Sequence, residues 1–144
     1  VLEWIDKNPI YMSVNWTCAM DVAIRATNWI HAYFNFEDLM GEDLEFKEKF
    51  NKSLYEHGKF IYKNLEKCIK YSNNHYLSDL VGLIYLGLYF EGLHNGLKDH
   101  KKWLKYGVEE LEKEMFIQNN SDGTNYETST SYHRLVTELF LYTT

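Results

Sequence analysis

Apolar positions along the chain recur every three or four residues, the spacing of one face of a helix, and no stretch alternates long enough to mark a strand. Five helical stretches result. Residues 17–36 place Cys18, Met20, Val22, Ala23, Ile24, Ala26, Trp29, Ile30 and Tyr33 nearly all round, which predicts a helix buried on every side. Residues 43–69 carry a single stripe (Phe46, Phe50, Leu54, Gly58, Ile61, Leu65, Cys68) with charges between, the pattern of an outward-lying helix. Residues 75–90 are again apolar all round, and residues 99–116 return to one stripe through Trp103, Leu104, Val108, Leu111 and Met115. A polar loop at 118–125, with Asp122-Gly123 inside it, precedes a last helix starting near Ser131.

The order is buried, exposed, buried, exposed, buried. Short connections make consecutive helices antiparallel, so the three buried helices point the same way. Their entrances carry Asn15-Trp16, Asn74-His75 and Tyr132-His133, which are 59 and then 58 residues apart. That period gathers three polar-aromatic dipeptides at one end of neighbouring inner helices. Layered hairpins of this kind are written by an α/α toroid or by a helical solenoid, and the polar inner ends favour the toroid, whose entrances surround a cleft. The expected fold is all-α, helical hairpins forming part of an incomplete (α/α) toroid.

With 144 residues there is room for one compact domain, residues 1–144, and not for two. The opening Val-Leu-Glu-Trp and the closing Leu-Phe-Leu-Tyr-Thr-Thr read as cut ends, which predicts a piece of a larger toroid. A net charge of −6 argues against a nucleic-acid or anionic-membrane partner, since either calls for a basic face. No apolar run reaches the roughly 18 residues of a membrane span. Cys18 and Cys68 cannot build a disulfide framework and are expected as buried thiols. The six histidines (31, 57, 75, 94, 100 and 133) form no H-E-x-x-H or similar spacing, so no metal and no cofactor is expected. Aromatic residues, at 17% of the chain, can fill a core or line a site needing flat apolar faces with polar tips.

The entrances carry the candidate chemistry. Asn73 or Asn74 can cap the helix beginning there, but an amide beside the imidazole of His75, at a helix N-terminus, can also hold a carboxylate. Tyr132, in Thr-Ser-Thr-Ser-Tyr-His-Arg, is either a boundary aromatic below hydroxyl caps at Ser129 to Ser131 or a proton-transfer residue. An ordinary phenol has a pKa of about 10, so as a base it needs donors or positive charge nearby. A carboxylate holder facing a tyrosine acid/base suits removal of a proton α to a carboxylate, followed by expulsion of a β-leaving group. Arg25 pairs with Asp21 four residues earlier or serves as a cleft cation for an acidic sugar. Asn15, Trp16, His133 and Arg134 are further substrate-binding candidates, and Trp16 and Trp29 have core packing as the plainer role. Glu127 fixes Tyr132 or Arg134, or simply starts the last helix.

The chain resembles the helical domain of the heparinase II/III-like polysaccharide lyases over nearly its whole length. The resemblance runs through Asn8-Pro9, Asn15-Trp16, Met20-Asp21-Val22-Ala23-Ile24-Arg25-Ala26, Asn28-Trp29-Ile30, His57-Gly58 and Asn64-Leu65-Glu66. It continues through Asn74-His75, Gly82-Leu83, Gly87-Leu88 and Asp122-Gly123, ending in Glu127-x-Ser129-x-x-Tyr132-His133-Arg134. It implies an incomplete toroid followed by a β-sandwich, β-elimination of acidic, uronic-acid-containing polysaccharides without a cofactor, and a periplasmic or secreted setting. It also implies Asn74 as the carboxylate-neutralising amide, His75 as the histidine beside it and Tyr132 as the catalytic tyrosine. A further catalytic histidine, the remaining toroid and the β-sandwich would be supplied by other segments of the same protein. The acidic net charge points to a sparsely sulfated or unsulfated polymer. Two alternatives stand beside this reading. One is a toroid glycoside hydrolase using Asp122 and Glu127, and the other is a non-catalytic carbohydrate-binding or assembly module.

Overall fold

The computed structural model describes residues 1–40, 43–68, 71–93 and 98–144, and the chain is all-α. The described helices are α1 (Leu2–Lys7), α2 (Ala19–Met40), α3 (Leu44–Lys63), α4 (Asn74–Gly92), α5 (Asp99–Gln118) and α6 (Thr130–Leu141), with a 3-10 turn at Val14–Trp16 before α2. No strand forms among the described residues; the nearest approach is one antiparallel bridge between Asn119 and Asn125 at the ends of the polar loop. Gly123 turns that loop with φ 84°, a conformation costly for side chains with a Cβ, while the Asp122 carboxylate accepts from Thr124 N–H at 3.0 Å.

Local signals set most boundaries. Asp43 caps α3 by accepting from Phe46 N–H at 2.9 Å. The helix stops at Lys63, short of the expected 69, because Asn64 leaves helical geometry and its amide donates to Phe60 O at 2.8 Å; residue 69 itself lies outside the described residues, as does His94. Asn73 caps α4, accepting from Tyr76 N–H at 2.7 Å. At α6 the expected hydroxyl cap does not form: Ser129 occupies the capping position without a side-chain bond. Helix α1 escaped the sequence pattern because six residues cannot display a periodic stripe. It is held by a Lys7–Glu3 ion pair at 2.6 Å and by the Asn8 amide on Trp4 O.

Helix α4 is the hub. Fourteen of its nineteen residues are buried, as its all-round apolar pattern predicts, and it packs chiefly on α5 and α2 and also on α3 and α6. Close crossings depend on missing side chains: a Cβ on Gly82 would come within 2.7 Å of Ala23 in α2, and one on Gly107 of α5 would come equally close to Ile84. Two apolar clusters lie on either side of α4. One joins Trp16, α2, α3 and Trp103; the other joins Leu111 of α5 to Val136, Leu139 and Phe140 of α6.

The other two inner helices are less covered than their patterns predicted. Asp21, Asn28, His31, Phe34 and Phe36 face outward on α2, and α6 buries only Val136, Leu139 and Phe140. An all-apolar surface is a demand for partners, and within the described chain only α4 is surrounded on all sides. Neither cysteine is fully buried and neither forms a disulfide.

Candidate functional site

The starts of α2, α4 and α6 lie together, and two glutamates join them. Glu66, in the link from α3 to α4, accepts from Met20 N–H in the first turn of α2 at 2.9 Å and from Cys18 Sγ at 3.5 Å. Its other carboxylate oxygen is 3.3 Å from Nδ1 of His75, the second residue of α4. Glu127, three residues before α6, accepts from the Asn74 amide at 3.1 and 3.3 Å. Glu127 itself is fixed by its backbone N–H on Asn125 Oδ1 at 3.0 Å, and Asn125 is buried against Gln118 O.

Because Asn73 does the capping, the side chain of Asn74 is released from that duty. It is only 8% exposed, and Glu127 fixes its orientation so that Nδ2 is the bonded atom. Tyr132 stands in the first turn of α6 at 46% exposure, with its ring available to solvent. His133 accepts from Asn125 N–H at 3.3 Å, and Arg134 pairs with Glu138 at 3.3 Å on the α6 surface. Two adjoining hollows run along α6 from this junction. One of about 440 Å³ is lined by Thr130, Ser131, Arg134, Leu135 and Glu138. The other, about 180 Å³, lies between α6 and Ile24, Thr27, Asn28, Ser78 and Val81 of α2 and α4. Ser78 is bonded to Asn74 O at 2.9 Å, so the second hollow begins one turn below the amide.

The remaining sequence candidates sit elsewhere and do structural work. Trp16 is 4% exposed, with its indole N–H on Asn8 O at 3.0 Å and its ring 4.6 Å from that of His57. Asn15 donates to Asn8 Oδ1 at 2.7 Å. Arg25 does not form the expected ion pair with Asp21. Its guanidinium lies over Trp4 and Trp16, 4.4 and 5.1 Å from the ring centres, and its Nε donates to His57 Nε2 at 3.0 Å. Burial brings the Arg25 pKa down to about 10, partly opposed by the field of Asp21. His57 donates from Nδ1 to Ser53 O at 2.7 Å, which leaves Nε2 as the acceptor for Arg25. Burial, together with the Arg25 charge and against the pull of Ser53 O, holds His57 down at about 3, so the imidazole is neutral.

Sequence reasoning missed Glu66 and Asp79. Asp79 is fully buried, accepts from Glu66 N–H at 2.8 Å through one oxygen, and leaves the other without a partner. Burial pushes it up to about 8, with the Glu66 charge adding to the effect and the Glu66 N–H opposing it. The one available signal was an acid inside the all-apolar stretch 75–90. Cys18, Glu66 and His75 also bring a thiol, a carboxylate and an imidazole nitrogen within 4.8 Å of one another. Their separation along the chain hid the trio from any motif search.

An all-α protein whose inner-helix starts converge beside an open hollow is the class defined by this geometry. The profile of the family described as heparinase II/III N-terminus matches residues 1–143, and the chain belongs to that family. Membership places the protein among polysaccharide lyases, with a polysaccharide substrate. No curated protein and no solved structure is significantly similar to the chain.

Proposed function

We propose that the protein carrying this chain cleaves uronic-acid-containing glycans by β-elimination, in the hollow where α4 and α6 begin. Asn74 and His75 face the sugar carboxylate, and Tyr132 moves the proton. Loss of the proton α to the carboxylate builds a second negative charge, which amide and imidazole donors on the carboxylate oxygens spread. One such donor is worth about 3–4 kcal/mol by the precedent of oxyanion holes. Glu127 is a positioning residue: both of its carboxylate oxygens accept from the Asn74 amide and fix its orientation. The phenol of Tyr132 takes the α-proton and returns it to the departing glycosidic oxygen. Arg134 borders the hollow on the α6 side, and His133 stands beside it in the first turn of α6. The rest of the toroid, the β-sandwich and a further catalytic histidine come from segments beyond this chain.

The observation that carries this reading is the freeing of Asn74. Its neighbour Asn73 satisfies the helix end, so a buried amide held by Glu127 has no other evident duty. The hydrolase alternative is weaker, because the Asp122 carboxylate is committed to its own turn. Bonds from Thr124 N–H and hydroxyl hold Asp122 below the usual carboxylate range, the wrong direction for a general acid. The test is Tyr132→Phe in the intact protein, assayed on sparsely sulfated uronate polymers by the ultraviolet absorbance of the unsaturated product. Turnover is expected to vanish with the fold unchanged, since the Tyr132 ring is exposed. Wild-type turnover in that variant overturns the assignment, and new reducing ends without the absorbance favour a hydrolase.

A further inference from the structure

We propose that Cys18, Glu66 and His75 form a binding site for a divalent transition metal, with Zn²⁺ as the best-suited ion. The trio comes from three separate places: the residue before α2, the α3–α4 link and the first turn of α4. In a tetrahedral zinc site, ligands at about 2.0–2.3 Å from the metal stand roughly 3.3–3.8 Å from one another. The separations here are 3.3 Å between His75 Nδ1 and Glu66 Oε1, and 3.5 and 3.8 Å from Cys18 Sγ to the two Glu66 oxygens. Glu66 is therefore already spaced from each of the other two donors as zinc ligands are, and all three donor atoms lie within 4.8 Å of one another.

The surroundings of Glu66 leave room for a cation. Its backbone N–H is held by the completely buried Asp79. Among the described residues Glu66 pairs with no lysine or arginine, and the half-exposed imidazole of His75 is its one basic neighbour. A metal ion between the three donors supplies a positive charge beside Glu66. A thiolate and an imidazole select Zn²⁺ over Mg²⁺ or Ca²⁺, which prefer all-oxygen sites. Binding displaces the thiol proton to solvent, so Cys–SH and Zn²⁺ give a Cys–S–Zn bond and one released proton. The sulfur sits just before α2, beside the Asp21 backbone N–H. Three protein ligands leave a fourth position, on the exposed side of His75, for water or an anionic group.

This site shares His75 with the lyase reading but does not depend on it, and it is tested without saccharide. The protein carrying this chain is stripped of metal, titrated with ZnCl₂ in a calorimeter and then with CoCl₂ in a spectrophotometer. Wild type is expected to bind one Zn²⁺ equivalent more than Cys18→Ser or His75→Ala, or to bind that equivalent ~10-fold or more tightly. It is also expected to show a thiolate-to-cobalt absorption in the near ultraviolet that Cys18→Ser lacks. His75→Ala keeps the test decisive if Cys18→Ser fails to fold, because the His75 side chain is 49% exposed. Equal stoichiometry, affinity and cobalt spectrum in wild type and His75→Ala overturn the proposal. So does the absence of any saturable binding.

Discussion

Asn15-Trp16 and Asn74-His75 look alike as sequence, an amide followed by an aromatic ring at the entrance of an apolar helix, yet the fold uses them in opposite ways. At the first, the aromatic ring turns inward and joins Trp4, Trp29, His57 and Phe60, and the amide closes on Asn8. At the second, the imidazole stays half outside and the amide is held by a glutamate from another helix start. The difference lies in what precedes each dipeptide. Helix α1 and its Asn8 cap lie against the first and take up its polar atoms, whereas Asn73 satisfies the backbone at the second and frees the side chains of Asn74 and His75. A motif at a helix start becomes a candidate site when a neighbour has already done the capping.

Four substitutions or conditions sharpen that contrast, beginning with the largest effect. Trp16→Ala removes a fully packed indole and is expected to destabilise the fold by about 3–5 kcal/mol, measured by denaturant unfolding, with turnover per folded molecule unchanged. Asn74→Ala should reverse that pattern: turnover falls by about 10²–10³-fold, while stability drops by no more than about 1 kcal/mol for the lost bond to Glu127. Equal stability losses in the two variants would erase the distinction between the entrances.

The third test is acid. His57 titrates near 6.5 when unfolded and at about 3 in the fold, so between those values the unfolded chain binds a proton that the native one refuses. The stability it contributes is present above pH 6.5 and is lost as pH falls, by about 2 kcal/mol between pH 7 and pH 5. His57→Gln should flatten this part of the stability–pH curve. An unchanged slope means that the buried imidazole is not what the acid attacks. Last, Asn73→Ala should cost about 1 kcal/mol as a lost cap, read by thermal unfolding, with far less effect on turnover than Asn74→Ala.

Helix α4 shows how much of the fold was legible: its all-round apolar pattern predicted a helix buried on every side, over 75–90 against the observed Asn74–Gly92. Helices α2 and α6 carry similar patterns and are exposed along one side, since a sequence records what a helix would bury and not whether a neighbour is there to cover it. At the site, the grouping of helix starts was readable from the hairpin period. The choice of Asn73 over Asn74 as the cap was not, because either residue has the chemistry and only backbone geometry distinguishes them.

The sequence alone determined the helical class, the burial of α4 and the family, because each of these is written in local spacing or in the order of motifs. Tertiary structure decided which polar groups face each other: Arg25 with His57, Asn74 with Glu127, and Glu66 with Cys18 and His75. These partners are between 9 and 53 residues apart. Hydrogen bonds and ion contacts act over a few ångströms, and at such separations along the chain only the packing of whole helices sets who comes within reach.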